Sequence, residues 1–565
     1  MIVLGINHSY DAAAAVVKDG RAVAACAEER LSRVKHDASF PAGAVKYCLS
    51  AAGCSLDEVD SVAFFWNPGR HLEPMLRRLS PQPRHHAEYL YSVPNHLLQL
   101  MGSPRVHSFE QRLGLAGGRS LRIEYVTHHL CHAASAFFRS PFEEAAILTV
   151  DGYGERTSTQ IAMGRGVRID PILEVDFPHS IGSFYAAVTQ FLGFKANDGE
   201  GKVMGLAAYG EPTFAPLFRR MLVCEENGFR VDLSYFSYYL ERGSRISERF
   251  EAELGPPRTP ESPLTQRHYD IAASLQAVTE ETVLHLARIA RERTGARYLT
   301  MAGGVALNCV ANGLVAEEAG FERIFVHPAA GDSGTALGAA LWVAHGQMGI
   351  PRPEGEEATD YLGAEFDAAA IQRELQRANL PARRVENAPR EAAERLARGQ
   401  IVAWFQGRAE YGPRALGNRS ILADPRPAQM KDQLNARVKF REPFRPFAPS
   451  VLEERCGELF ERSEPSPFML QVYKTRLDKR DVIPAVTHID GGARVQTVNQ
   501  RQNPRYYSLI EHFAALTGVP CVLNTSFNIR GEPIVHTVSD ALKCFFTTDM
   551  DALFLGDFLI ERPGA

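Results

Sequence analysis

Residues 2–27, IVLGINHSYDAAAAVVKDGRAVAACA, read as strand, polar loop, strand, Asp-Gly turn, strand. The apolar runs are short, closed by polar residues and too brief for helices, as buried strands are. Residues 146–169, AILTVDGYGERTSTQIAMGRGVRI, repeat that order faintly. Each copy carries an Asp just beyond its opening strand, Asp11 and Asp151, 140 residues apart. Two hairpin-led halves, each offering an acid to a central cleft, make the expected fold class α/β.

Further along, residues 267–294 place Ile271, Leu275, Val278, Val283, Leu286 and Ile289 at three- to four-residue steps, and Gly295 follows as a C-cap. That spacing predicts a core helix. RYLTMAGGVALNCVANG then reads strand, Gly-Gly turn, helix, a junction where a ligand can approach a helix N-terminus closely. Pro, Gly and Glu crowd near 350–358, so the expected division is 1–350, a linker at 351–358, and 359–565. Beyond the linker, 367–399 reads as helix, IVAWFQG as strand, and VPCVLNTSFNIRG as a buried strand entering a polar loop.

Composition narrows the function classes. A chain of 565 residues, 45% apolar and 23% charged, fits a soluble globular protein of about two to four domains. No apolar run approaches the ~18 residues a membrane helix needs, and the N-terminus lacks the pattern of an export signal. Nine cysteines without a Cys-x-x-Cys pair argue against a zinc ribbon or a disulfide framework, and point to a reducing cytoplasm. A net charge of −5 gives no general basic field, so neither nucleic acid nor membrane is an expected partner. Of 62 basic residues only ten are Lys, which lends slight weight to Lys202 and Lys439 inside Gly- and Arg-rich stretches.

Three stretches carry candidate chemistry. In VTHHLCHAASAFF, His128 and His132 at i and i+4 share a helix face and can hold one metal, with Asp151 and Asp332 as further ligands. Such a mixed N/O set suits Fe(II), Mn or Zn; the bland alternative is a polar helix start with capping histidines. GEGKVMGLAAYGEP loosely resembles a phosphate cradle through Gly199, Gly201, Lys202 and Gly205, although it is no Walker loop, and such a run is more often only a turn. Between Arg408 and Arg445, nine Lys and Arg face four acids, Glu410, Asp424, Asp432 and Glu442. Loops of this composition can converge cations on a phosphate-bearing ligand, and Arg494, Asn524, Ser526 and Arg530 could complete the pocket; the alternatives are a solvated basic face or a nucleic-acid patch. No nucleophile elbow or His-Glu-x-x-His motif is present.

The set GINHSYDAAAAVV, AEERLSRVKH, HHLCHAASA, KVMGLAAYGEP, AGGVALN, GRAEYGPRALGNRSIL, REPFRPFAPS and LNTSFNIRGEPIV resembles the ATP-dependent O-carbamoyltransferases of antibiotic biosynthesis and nodulation-factor modification, in order and over nearly the whole chain. That resemblance implies a duplicated actin-like (ribonuclease-H-like) N-terminal domain and a C-terminal domain similar to the enzyme that makes threonylcarbamoyl adenylate. It implies that ATP, with Mg(II), and carbamoyl phosphate are joined in the C-terminal domain. Carbamoyl adenylate then passes to an N-terminal Fe(II) site, where a hydroxyl of a small-molecule acceptor takes the carbamoyl group. By matching motif, His128, His132, Asp151 and Asp332 look like the metal ligands, and Gly303, Gly304 and Asn308 like an adenosine cleft. Lys439, Arg445, Arg494 and Ser526, with Arg414 beside them, look like the adenylate-forming site; Asp11 is carried over as catalytic. Relatives commonly have His-Asp where this chain has Tyr10-Asp11, which leaves Tyr10, His8, another base or none for the acceptor proton. The family often forms dimers, and residues 65–120 are expected to shape the acceptor pocket. Two other readings stay open at this point: an actin-like kinase or ATPase, and a tRNA-modifying threonylcarbamoyl transferase relative.

Overall fold

The computed structural model describes residues 1–68, 110–114, 118, 120–240, 243–353 and 359–562. Most of the stretch assigned to the acceptor pocket, and linker residues 354–358, lie outside these. The chain forms two compact units: Met1–Ala25 with Ala38–Ala358, and Cys26–Asp37 with Thr359–Ala565. The nine cysteines are free, and among the described residues no helix is long and apolar enough to cross a membrane.

Two sheets build the first unit. β1 (Ile2–Asn7), β2 (Ala13–Lys18), β3 (Arg21–Ala27), β4 (Ser61–Phe64), β5 (Glu110–Gly114) and β6 (Ser120–Tyr125) lie in the order β3-β2-β1-β4-β6-β5. β7 (Glu144–Val150), β8 (Thr157–Arg165) and β9 (Arg168–Asp176) precede a small hairpin, β10 (Leu222–Glu225) and β11 (Gly228–Val231). With β12 (Tyr298–Ala302) and β13 (Arg323–Val326) they give a second sheet, β13-β12-β7-β8-β9. In both sheets the opening strand pairs antiparallel with the next strand on one side and parallel with a later one on the other. β1 does so with β2 and β4, and β7 with β8 and β12. β1, β2 and β7 are buried through nearly their whole length, as strands covered on both faces are.

Close packing fixes the helices around them. The helix Gln266–Thr294 buries Ile271, Leu275, Val278, Val283, Leu286 and Ile289 and ends on Gly295 at φ 65°. The helix Ser333–Leu341 packs on β1, β2 and the helix His128–Arg139. Two glycines permit that approach. A Cβ on Gly5 would lie 1.9 Å from the Ala336 carbonyl oxygen, and one on Gly338 would lie 1.8 Å from that of Cys131. The stretch read as a phosphate cradle is instead the helix Glu200–Ala207, packed on the long helix 266–294. Burial of Val203 and Leu206 outweighs the ~1 kcal/mol that a helical glycine costs, and Glu200, in the first turn, accepts from the Asn197 N–H at 2.7 Å.

The second unit is an eight-stranded sheet, β14-β23-β22-β15-β16-β21-β17-β20. Its strands are β14 (Arg383–Arg384), β15 (Val402–Phe405), β16 (Arg419–Ala423), β17 (Ala448–Leu452), β20 (Gln496–Val498), β21 (Cys521–Ser526), β22 (Ala552–Leu555) and β23 (Phe558–Glu561). β18 (Val472–Lys474) and β19 (Gly492–Arg494) form a separate pair. Trp404, Tyr473, Tyr506, Phe513 and Phe554 are fully buried in the core. Helices Ala368–Arg377 and Ala388–Ala397 occupy the region read as helical. Residues 26–37, from the far end of the sequence, belong to this unit and carry the short helix Glu29–Ser32.

Candidate metal centre and cationic site

His128 and His132, on the first turn and a half of the helix His128–Arg139, turn both Nε2 atoms the same way, 3.1 Å apart. Asp151, directly after β7, brings Oδ2 to 2.9 Å from His128 Nε2 and 3.2 Å from His132 Nε2. Asp332, directly before the helix Ser333–Leu341, brings Oδ1 to 3.7 and 3.9 Å from the same nitrogens. One ligand atom from each of the four thus lies within 4.8 Å of the others.

Backbone and side-chain contacts hold the set. The Gly304 N–H donates to Asp151 Oδ1 at 3.0 Å, leaving Oδ2 to the imidazoles. Gly303 sits at φ 94°, where a Cβ would lie 2.2 Å from the Val150 carbonyl oxygen, so only glycine lets this turn reach the end of β7. Ser9 Oγ donates to Asp332 Oδ2 at 3.0 Å, and Asn7 Nδ2 to the carbonyls of Asp332 and Asp11 at 2.6 and 3.1 Å. Both Nδ1 atoms of His128 and His132 are buried without a hydrogen-bond partner, so helix packing, rather than a second hydrogen bond, orients the rings.

Glu155 anchors the helix itself. Thr127, the N-cap by position, makes no capping bond with its side chain. The buried Glu155 carboxylate accepts instead from the His128 N–H at 3.0 and 3.1 Å and from the Asn67 N–H at 2.6 Å. An anion there also suits the positive end of the helix. Sequence reasoning missed this residue.

Electrostatics favour a cation among the four ligands. Burial opposes charge on His128, but the bond to Asp151 and the charges of Asp332, Asp151 and Glu155 outweigh it and raise its pKa to about 9. Burial, then the neighbouring His128, lowers that of His132. Burial and the charge of Asp151 push Asp332 up to about 7, with Asp11 adding to the rise. The cluster alone must retain protons to offset its own charges. A divalent cation would neutralise both carboxylates and leave both imidazoles neutral, so the donor set fits one.

Of the residues assigned to an adenosine cleft, Asn308 is engaged within the fold. Its Oδ1 accepts from the Ala311 N–H at 3.1 Å, capping the helix Cys309–Glu318, and its amide pairs with Gln276 at 3.0 and 3.1 Å. Lys202 and Gly205 are helical, with the Lys202 ammonium 5.7 Å from the Phe194 ring centre.

In the second unit, Lys439 is 3% exposed and gives its ammonium to both oxygens of Ser526, the Asn528 carbonyl at 3.1 Å and Asn528 Oδ1 at 2.8 Å. Burial, then the charges of Arg441 and Arg445, holds its pKa well below the lysine range. Arg441 is depressed in the same way by burial, Arg445 and Arg494. Arg445 thus bears on both Lys439 and Arg441, and Arg494 on Arg441, with Glu442 3.9 Å from Arg445 and from Arg530. Arg441 and Asn528 were not singled out in the sequence; Arg441 lies inside the quoted REPFRPFAPS, undistinguished among 52 arginines.

Other polar residues of the GRAEYGPRALGNRSIL stretch build the loop that carries the half-buried Arg414. Glu410 Oε1 accepts the N–H groups of Leu416, Asn418 and Arg419 at 2.8, 2.9 and 3.1 Å. Arg419 is fully buried, donates to the carbonyls of Gln406 and Ala364 at 2.8 Å, and stacks 3.6 Å from the Phe405 ring centre. Asn524 is likewise inside the sheet, its amide donating to Ala415, Ser450 and Gln496.

The chain belongs to the carbamoyltransferase family: the family models Carbamoyltransferase N-terminus and Carbamoyltransferase C-terminus match residues 2–341 and 393–562. It is accordingly a transferase enzyme. An uncharacterized protein of Synechocystis sp., sll1178, is 44% identical over 99% of this chain and 96% of its own length. Nodulation protein NolNO of Sinorhizobium fredii is 41% identical over 98% of this chain and 79% of its own. The 3'-hydroxymethylcephem-O-carbamoyltransferase of Amycolatopsis lactamdurans is 32% identical over 79% and 82%.

Proposed function

We propose that the chain is an ATP-dependent O-carbamoyltransferase working in two steps. In the first, at Lys439, Arg441, Arg445, Arg494 and Ser526, carbamoyl phosphate is hydrolysed to carbamate and phosphate. A carbamate oxygen attacks the α-phosphorus of Mg(II)-bound ATP, diphosphate leaves, and carbamoyl adenylate forms. In the second, a hydroxyl oxygen of a small-molecule acceptor attacks the carbamoyl carbon, the hydroxyl proton is lost, and AMP departs.

The observation that carries this reading is the group of cations around Lys439, which depress one another's proton affinity. Such a group is costly until anions arrive, and ATP with carbamoyl phosphate supplies many anionic oxygens whose repulsion needs offsetting. The matched strand patterns of the two N-terminal sheets support reading the first unit as a duplicated actin-like fold. The second unit is read as resembling threonylcarbamoyl-adenylate synthase.

His128, His132, Asp151 and Asp332 would hold a divalent ion such as Fe(II), which would supply Lewis-acid polarisation of the carbamoyl carbonyl. Gly304 orients Asp151, and Ser9 orients Asp332. Tyr10 is not the base: burial, then the charges of Asp198, Asp11 and Glu200, raises its pKa, so it keeps its proton. We assign the acceptor proton to the Asp11 carboxylate, beside Tyr10 in the sequence, with His8 as the alternative base.

The test is incubation with ATP, carbamoyl phosphate and a panel of hydroxyl compounds. AMP, diphosphate, phosphate and an acceptor heavier by one carbamoyl group are expected. ADP as sole nucleotide product, with no carbamoylated acceptor, sinks the proposal.

A further inference from the structure

The AEERLSRVKH stretch contributes two arginines, three residues apart, to the second unit. Arg30, 5% exposed, donates through Nη2 to the Gly412 carbonyl at 2.5 Å, two residues before Arg414. Arg33, at the left-handed C-cap of the helix Glu29–Ser32 (φ 61°), forks onto two successive carbonyls. Its Nη2 reaches Pro533 O at 2.8 Å and its Nη1 reaches Ile534 O at 2.7 Å, while Asp540 and Glu532 lie 3.5 and 3.9 Å from the guanidinium.

The turn that Arg33 grips leads directly to Lys439. The Glu532 carbonyl accepts from Asn528 Nδ2 at 2.7 Å. Asn528 Oδ1 accepts in turn from Ser526 Oγ at 2.7 Å and from Lys439 Nζ at 2.8 Å. Each link is a directional bond at ordinary length, so displacing 532–534 swings the Asn528 amide and with it the Lys439 ammonium.

We propose that Arg30 and Arg33 are positioning residues for the adenylate-forming site, Arg30 setting the Arg414 loop and Arg33 setting Lys439 through Asn528. The inference rests on the function proposed above. Arginine is suited to the task because its planar fork meets two adjacent carbonyls at once, whereas one lysine ammonium on a flexible stem does not hold the same plane.

The experiment uses the full chain and its R30A, R30K, R33A and R33K variants. It reads diphosphate release from ATP and carbamoyl phosphate without acceptor, at varied ATP, alongside circular dichroism. Misplacement of a catalytic group by about 1 Å costs on the order of 10²-fold. R33A is therefore expected to lose about 10- to 100-fold in kcat, with KM for ATP within about twofold. R33K is expected to recover part of that loss, and R30A to behave like R33A. Folded R33A and R30A that release diphosphate at the parent rate overturn the inference. A rise in KM that accounts for the whole loss also overturns it, since that is weakened binding rather than misplacement. Should an alanine variant fail to fold, its lysine counterpart decides, and a lysine variant at the parent rate overturns the inference. A parent chain releasing no diphosphate overturns the proposed function and this inference together; parent release with undiminished variants overturns the inference alone.

Discussion

The Nε2 atoms of His128 and His132 face each other across 3.1 Å, with a carboxylate oxygen of Asp151 within 3.2 Å of both. Two such nitrogens cannot both carry protons toward the same point. With His128 raised and His132 lowered, the proton belongs to His128, and a bound cation would displace it.

That proton gives the metal-free chain a pH dependence of definite sign. The folded pKa of His128, about 9, exceeds the ordinary 6.5, so its contribution to stability is complete below 6.5 and is lost as pH rises through about 9. Asp332, raised to about 7, also binds its proton more tightly when folded, and adds a loss as pH rises from about 4 to 7. In chelator the thermal midpoint of the parent is expected to fall more, or rise less, between pH 6.5 and 9 than that of His128→Gln, and a divalent metal should shrink the difference; the comparison cancels the opposite contribution of Lys439, whose depressed pKa favours the folded state as pH rises. Identical pH profiles of parent and His128→Gln in chelator refute this.

Lys439→Ala should separate the two proposed steps. Removing one preorganised electrostatic group typically costs ~10²–10³ in rate, and that loss should appear in diphosphate release. Transfer from ready-made carbamoyl adenylate to an acceptor should persist. A folded variant equally deficient in both half-reactions would falsify the two-site reading.

Glu155→Gln tests the anchor of the helix that carries the candidate ligands His128 and His132. The amide keeps the size of the side chain but loses the charge facing three N–H···O contacts. Outer groups that orient metal ligands commonly matter by about 10- to 100-fold in affinity. Zinc or iron titration should show weakening of that order with the circular dichroism unchanged. Undiminished affinity would assign Glu155 to stability alone.

Gly338→Ala places a methyl where the Cys131 carbonyl already sits, and Gly5→Ala does the same against Ala336. Each should cost about 1–3 kcal/mol as overpacking and push Asp332 away from the imidazoles. Calorimetry and metal analysis should therefore move together. A normal metal content beside a lowered midpoint would uncouple them.

What the sequence disclosed follows the range of the interactions. His128 and His132 are legible because i and i+4 share a helix face whatever surrounds them, and the long helix 266–294 is legible through its periodic apolar face. The Lys202 stretch folds as a helix although its glycine composition suggests a loop, because burial against a distant helix decides. Glu155 gave no signal: one acid in a glycine-rich turn acquires its role only when the turn between β7 and β8 meets the helix start. Arg30 and Arg33 lie in a quoted motif, yet their partners are 382 and about 500 residues away, beyond any local pattern.

Building the second unit from residues 26–37 and 359–565 also sets a timetable for synthesis. Residues 26–37 leave the ribosome before the whole of 38–358 has been made. At ~5–20 residues per second that interval is about 15 to 65 s. During it the two arginines have no carbonyls to grip, and the intervening chain has time to fold around its own sheets. The second unit consequently has a non-contiguous coding sequence. A gene fragment beginning at 359 omits part of it, so excision there removes a component that addition of a 26–37 peptide, or a circular permutation joining it to 359–565, would restore.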